Sequence, residues 1–406
     1  MPPATRLDRV DQADQVDQVR RVVTALELAA ELAAPAPAPL AEALALQLKI
    51  MAETSMLLFS VADLRQHDER IADGVRTVAE RLLAPARSDA VLAAICLDPG
   101  LARDHAVAHT VLGHLGYPDP EVDHLLGESL ALGTDFGPER LPHRELEQHW
   151  LERIRPGHPM EDDESRHRRE ATTLARSSLG RPMDALGSTV LDNYAFTHAV
   201  LYASDFGTRP VRLDRPARSI SADAETGLAA ALDGDHFDLT AELLWTWPML
   251  RLGPTPASGF ASRLLSSVQK QDEFSYHTTF VLGFLAAATL RSEGAEAVAP
   301  GPPGSPGALA DALALLDSGP EPRWLAAARS LDPDQDADRL APLALTVVYR
   351  RGRARADLSL VKAGLEVALR HDLLDGPAPV QALALLRRGT ALERRRADQR
   401  ADRRAG

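Results

Sequence analysis

Three polar motifs stand at nearly equal intervals in the second half of the chain. They are Thr197-His198 through Asp205-Phe206-Gly207, Asp233-Gly234-Asp235-His236-Phe237-Asp238 with Glu242, and Tyr276-His277-Thr278-Thr279. His198 and Asp238 are 40 residues apart, and Asp238 and His277 are 39 apart. A helix–turn–helix unit in a helical repeat protein occupies about 40 residues, so successive units can aim these side chains at one centre. Imidazole nitrogens and carboxylate oxygens gathered in one place suit a divalent ion such as zinc, iron or manganese. His198, Asp238, Glu242 and His277 are therefore the candidate metal ligands. Tyr202, Asp205 and Tyr276 are the candidate acid–base and positioning groups.

Each motif also has a purely structural reading. His198, Tyr202 and Asp205 share one face of a helix, yet about 10 Å of helical rise separates His198 from Asp205. The pair cannot hold one ion unless the backbone unwinds near Gly207, so Asp205 is expected to polarise a neighbour or contact substrate. The structural alternative is a core histidine bonded to a carbonyl and an aspartate tied to a loop. Asp235 reads as a helix N-cap with Asp238 at the third helical position, where carboxylates also favour the helix dipole. Capping leaves Glu242 unexplained, one turn beyond Asp238 among Leu239, Leu243, Leu244 and Trp245. His277 lies in an apolar stripe with Phe274, Val281 and Phe284, so a hydrogen-bonded core histidine is its alternative.

Other polar clusters are weaker. His105 and His109 have the spacing of a helical metal pair, but the glutamate of the metalloprotease motif is missing. With Asp104 and His114 they read as solvated or substrate-proximal. The acidic run at residues 161–164 lacks the second aspartate of the terpene-synthase motif. No Gly-rich phosphate loop, Gly-x-Ser-x-Gly elbow or kinase signature is present.

The elements that must position these groups are helices. Ala and Leu dominate, aromatic residues make up only 4% of the chain, and β-branched runs bounded by turn signals are scarce. Helical patterning covers residues 7–34, 40–61, on to 83, 88–117 with a break at Asp98-Pro99-Gly100, 121–131, 141–155 and 164–179. It resumes at 184–206, 220–232, 235–250, 272–291, 308–316, 322–330, 339–350, 358–371 and 379–386. Residues 35–39, 157–163 and 294–307 read as loops. Residues 1–34 form an N-terminal helix, 40–390 one domain of helical hairpins, and 391–406 a basic tail without structure. Short loops imply antiparallel pairs. The bunching of polar groups favours closure into an α/α toroid, with an open α-solenoid as the alternative.

A net charge of −13 argues against nucleic-acid partners. The lone Cys96 excludes an internal disulfide and any thiolate-rich zinc cluster, and is expected to be a small buried hydrophobe. No signal peptide is visible, and the apolar stretch 280–290 falls short of the roughly 20 residues of a membrane helix. A cytoplasmic protein with no membrane partner is expected. Of 45 basic residues only Lys49, Lys270 and Lys362 are lysine, a bias typical of GC-rich, actinobacterial genomes.

The phrases from Thr197-His198 to Asp205-Phe206-Gly207, Asp238-Leu-Thr-Ala-Glu242-Leu-Leu and Tyr276-His277-Thr-Thr-Phe-Val-Leu-Gly283 resemble a family of uncharacterised actinobacterial proteins. The resemblance covers residues 180–290 and implies an all-helical protein that accompanies specialised-metabolite or modified-peptide gene clusters. The layout is also similar to α/α toroids such as protein prenyltransferase β subunits and terpene cyclases. The prenyltransferase zinc site includes a cysteine, which Cys96 is not placed to supply. The leading expectation is an enzyme with a central polar, metal-binding cavity, acting on a small molecule or peptide in bacterial specialised metabolism. The alternative is a non-catalytic helical-repeat protein that binds a peptide or protein partner.

Overall fold

The computed structural model describes residues 6–33, 41–133, 140–155, 163–269, 275–292, 305–317, 321–331 and 335–405. Among them the regular elements are all helical and no strand occurs. The first helix, α1 (Arg6–Leu32), buries Val22, Ala25, Leu26 and Ala29 on one face. α2 (Ala41–Val61) continues into a 3-10 turn, and α3 (Glu69–Ala86) is capped by Asp68, which accepts from the Arg70 amide at 2.8 Å. α4 (Asp89–Leu97), α5 (Ala102–His105) and α6 (Val107–His114) follow, broken near Pro99 as expected and again at Ala106. α7 (Pro120–Gly133), α8 (Pro142–Ile154) and α9 (Asp163–Arg176) complete the first half.

α10 (Val190–Ala203) starts later than its apolar pattern suggests. Thr189 and Asp192 close a capping box there, each satisfying the other's backbone amide. α11 (Ala217–Asp233) leads to α12 (Phe237–Leu244) and the short α13 (Thr246–Met249), a division of what reads as one helix. Proline clashes with the carbonyl four residues back, and for Pro248 that residue is Leu244, where α12 ends. α14 (Pro256–Gln269) was not anticipated; it opens on a proline with Thr255 and Ser258 bonding each other's amides at 2.8 and 3.3 Å. α15 (Tyr276–Arg291) is capped by Ser275. The C-terminal part comprises α16 (Ala308–Ala314), α17 (Arg323–Arg329), α18 (Gln335–Asp338), α19 (Ala341–Ala354), α20 (Leu358–Arg370) and α21 (Pro377–Ala405).

Helix neighbours follow a simple order. α2 packs on α6, α6 on α8, α8 on α10, α10 on α12, α12 on α15, and α15 returns to α2. Outside this cycle, α1 covers α15 and α3, α9 covers α8, and α11 and α14 cover α12. α19 packs on α11 and carries α16, α20 and α21. The motif helices α10, α12 and α15 are thus consecutive members of one cycle.

Several expectations are corrected. Asp235 is not a cap: it has a left-handed φ of 49°, His236 holds the N-cap position, and Asp235 Oδ1 accepts from the Arg323 amide at 3.1 Å. Cys96 is exposed, because α4 buries Val91 and Ile95 and turns the next position outward. The arginine-rich tail continues α21 to Ala405, in keeping with the good helix propensity of Ala, Arg and Glu. The expected loops at 35–39 and 157–162, and most of 294–307, lie outside the described residues, as does Phe274. Among the described residues one helical stretch, Ala45–Gln66, is long and apolar enough to cross a membrane, and 56% of its most apolar window is buried inside the protein.

Close approach of α15 to α1 and α2 depends on Gly283. A Cβ there would lie 2.7 Å from the Ala25 Cβ and 3.1 Å from Leu57 Cδ1. Gly283→Val should destabilise the protein by about 1–3 kcal/mol through overpacking. A thermal melt equal to wild type would contradict this.

Candidate functional site

Glu242 of α12 is 1% exposed, so an ionised carboxylate there needs partners that carry its charge. The structure supplies two. Thr197 Oγ1 donates to Glu242 Oε2 at 2.6 Å, and His277 Nε2 stands 3.4 Å from Glu242 Oε1. The other ring nitrogen, Nδ1, stands 3.4 Å from Glu53 Oε1 on α2. His277 is therefore bracketed by two carboxylates, and four helices of the cycle meet through it. Hydrogen bonding to Glu242 and then Glu53 outweighs burial and raises the His277 pKa to about 10, so at neutral pH the ring is an imidazolium. Glu53 Oε2 is buried with no hydrogen-bond partner among the described residues. Burial, and next the nearby Glu53 charge, push the Tyr276 phenol up to about 12.

Around this clamp lies a wider polar seam. Tyr194 OH donates to Asp238 Oδ2 at 2.8 Å, and burial together with that bond raises the phenol's pKa. The His198 ring lies 6.1 Å from those of Tyr194 and Tyr202, and 6.0 Å from that of His143 on α8. Burial, then the charges of His198 and Arg144, depress the His143 pKa to about 4. Deeper in, Tyr202 OH donates to Glu147 Oε1 at 2.8 Å, and Arg144 Nη1 pairs with Glu147 Oε2 at 2.8 Å. Burial, reinforced by the Glu147 charge, raises the Tyr202 pKa well above the ordinary phenol value.

Of the residues expected to act together, Glu242 and His277 meet. His198 does not join them as a ligand: its Nδ1 is 2.7 Å from the Tyr194 carbonyl, which is the structural alternative for that histidine. Asp238 is engaged by Tyr194. Among the described residues no group of three or more His, Cys, Asp or Glu is arranged to hold a metal ion. Asp205 lies past the end of α10 with φ 48°, paired to Arg153 and, at 3.3 Å, to Arg209 Nε. Both arginines also pair with Glu170, so Asp205 anchors a loop to α8 and α9. The histidines of the earlier cluster are engaged separately: His109 Nε2 with Asp123 at 3.0 Å, His105 beside Asp98 at 3.9 Å, and His114 against the Phe59 ring at 5.4 Å.

Glu53, Thr197, Tyr194, His143, Arg144 and Glu147 were not anticipated as site residues. Glu53 and Glu147 did carry a partial signal, each a carboxylate followed one turn later by apolar residues, Met56 and Leu57 or Trp150 and Leu151. Thr197 and Tyr194 carried none, since hydroxyls are common on buried helix faces.

The model for a domain of unknown function, DUF6895, matches residues 19–275, more than half of the chain. The chain belongs to the DUF6895 family. The match reaches well beyond the resemblance expected over 180–290 and takes in the N-terminal third. Within DUF6895 fall Glu53, His143, Thr197 and Glu242; the matched span ends just before His277. No curated protein and no solved structure matches the chain.

The raised His277 pKa sets a pH dependence. Between the unfolded value near 6.5 and the folded value of about 10, the native state holds a proton that the unfolded chain lacks. The clamp's contribution to stability is therefore full below pH ~6.5 and lost as pH rises through about 10. Ring nitrogen shifts followed by NMR should show His277 charged at pH 8, and Glu242→Gln should lower its midpoint by at least about one unit. A His277 midpoint near 6.5 in the wild type would contradict the clamp.

Proposed function

We propose that this DUF6895 protein is an enzyme that moves protons on a small molecule or peptide, using the polar seam enclosed by the helix cycle. The observation that carries this reading is His277, held charged between Glu53 and Glu242. Its counterpart is His143, which burial keeps neutral. Two histidines whose environments push their pKa values apart divide the work of acid and base: the His277 imidazolium donates, and the neutral His143 accepts. Tyr194, Tyr202 and Tyr276 are the positioning hydroxyls, and Glu53, which stands beside Tyr276 and His277, is the carboxylate that orients them. The return of the helix contacts to α2 supports the α/α toroid over an open solenoid.

A divalent zinc, iron or manganese ion would require these side chains to turn, because each His277 nitrogen already faces a carboxylate. Side-chain proton transfer is therefore the simpler chemistry. The biological setting, bacterial specialised metabolism in an actinobacterial cytoplasm, rests on the resemblance of the three motifs.

Metabolite profiles of a strain carrying the gene provide the test, with His277→Ala and Glu242→Gln introduced in place and a deletion as reference. Both variants, shown to be folded by their melting curves, should lose product and accumulate precursor as the deletion does, corresponding to a rate loss of about 100-fold or more. Wild-type product from both folded variants would sink the enzyme and favour a helical protein that binds a peptide or protein partner. Metal analysis of the same proteins decides the metal version: about one ion per chain in the wild type, lost in His277→Ala, is its signature.

A further inference from the structure

A cleft of about 630 Å³ lies between α8 and α9, bounded also by Arg103 of α5 and by Arg140 ahead of α8. It is on the face of α8 carrying Glu145, Gln148, His149 and Glu152, whereas His143 and Glu147 occupy another face. Five arginines line it: Arg103, Arg140, Arg168, Arg169 and Arg176. Among the described residues the carboxylates lining it are Glu145 and Glu152, and just beyond the lining Asp104 pairs with Arg140 at 2.6 Å and Glu164 with Arg168 at 2.8 Å. The described groups at the cleft are thus five guanidiniums and four carboxylates, gathered in a chain of net charge −13.

The carboxylates present are shared rather than matched one to one. Glu152 serves Arg103 at 2.8 Å, Arg169 at 3.2 Å and His149 at 3.7 Å. Burial works against its ionisation, but the His149 bond and the Arg103 and Arg169 charges outweigh it and hold its pKa at about 2. Glu145 takes Arg176 at 2.9 Å and the Thr173 hydroxyl at 3.2 Å. A guanidinium has five N–H donors, so one ion-pair contact leaves most of those on Arg103 and Arg176 available. The floor adds an independent sign of a missing acceptor: Gln148 is 8% exposed, and its Nε2 is buried with no hydrogen-bond partner among the described residues.

We propose that this cleft binds a ligand bearing a diphosphate or two neighbouring phosphate groups. Arginine forks match phosphate oxygens two at a time. A multiply charged anion with several acceptor oxygens uses the N–H donors that the ion pairs of Arg103 and Arg176 leave open better than a single carboxylate would. Arg103 and Arg176 supply the principal forks, and Gln148 Nε2 donates from the floor. The cleft volume falls in the range of small-molecule sites. This assignment stands apart from the proton-transfer reading, because it uses none of the same side chains.

Calorimetric titration of the full-length protein with inorganic pyrophosphate tests it, with orthophosphate and citrate as parallel arms. Saturable binding of pyrophosphate is expected, with orthophosphate and citrate each weaker by about tenfold or more. Arg103→Gln with Arg176→Gln should weaken pyrophosphate by about tenfold or more. The milder Gln148→Leu, which removes the orphaned amide without disturbing any ion pair, should also weaken binding. His277→Ala should leave it unchanged. Absence of saturable binding, equal affinity for citrate, or an affinity untouched by both the double variant and Gln148→Leu would overturn the proposal.

Discussion

The buried charge of Glu242 is the constraint around which the motif helices are arranged. An ionised carboxylate in a helical core is costly, and removing one partner of a buried pair leaves an uncompensated charge. Thr197 and His277 share that duty from α10 and α15, on either side of α12. Because His277 is itself charged, it needs a second carboxylate, and Glu53 answers from α2. One buried group thus fixes the relative positions of four helices. The approach of α15 to α1 and α2 at Gly283 follows the same geometry, since a wider separation would draw His277 away from Glu53.

The seam beyond Glu242 shows how one region can keep like groups in different protonation states. His277 and His143 are both partly buried histidines, yet their pKa values are displaced in opposite directions. Desolvation acts on both and favours the neutral ring. It prevails at His143, whose neighbours His198 and Arg144 add no negative charge, and is overruled at His277 by two carboxylates. Phenol–carboxylate pairs at Tyr194–Asp238 and Tyr202–Glu147 keep both phenols protonated and their hydroxyls aimed. A core of well-packed apolar residues would have been as stable or more so, which makes this concentration of polar groups informative about use.

The helical class was legible from composition and periodicity, and the pairing of Glu242 with His277 from a motif interval close to one helical hairpin. Legibility ended where local chemistry overrides periodicity. α10 starts at Thr189 because a capping box outweighs the apolar pattern before it, and α12 stops at Leu244 because Pro248 cannot accommodate that carbonyl. α14 escaped notice because its pattern is diluted by Ser258, Ser262, Ser266 and Ser267, of which Ser266 and Ser267 bond back to helix carbonyls. Asp205 looked functional through its place on the His198 face. Its left-handed backbone takes it off that helix, and its ion pair with Arg153 joins residues 52 apart in sequence. No spacing rule reports such pairs. The meeting of Glu53 with His277 is illegible for the same reason, since more than two hundred residues separate them, and Glu53 by itself reads as the local partner of Lys49.

The extent of the family match sharpens what a functional unit means here. Residues 19–275 include α2, α8, α10 and α12, and with them every polar group of the seam except Tyr276 and His277. Yet α15, outside the match, packs against α1, α2 and α12 and supplies the only cation facing Glu242 among the described residues. Without α15 the apolar faces of α1 and α2 would lose their cover, and Glu242 would retain only a hydroxyl partner. A single hydroxyl does not neutralise a buried carboxylate, so the group would have to take up a proton or draw in water. The boundary of the family match is therefore not a boundary of folding in this chain. The charge state of the site, and with it any proton transfer there, is set by the helix that follows.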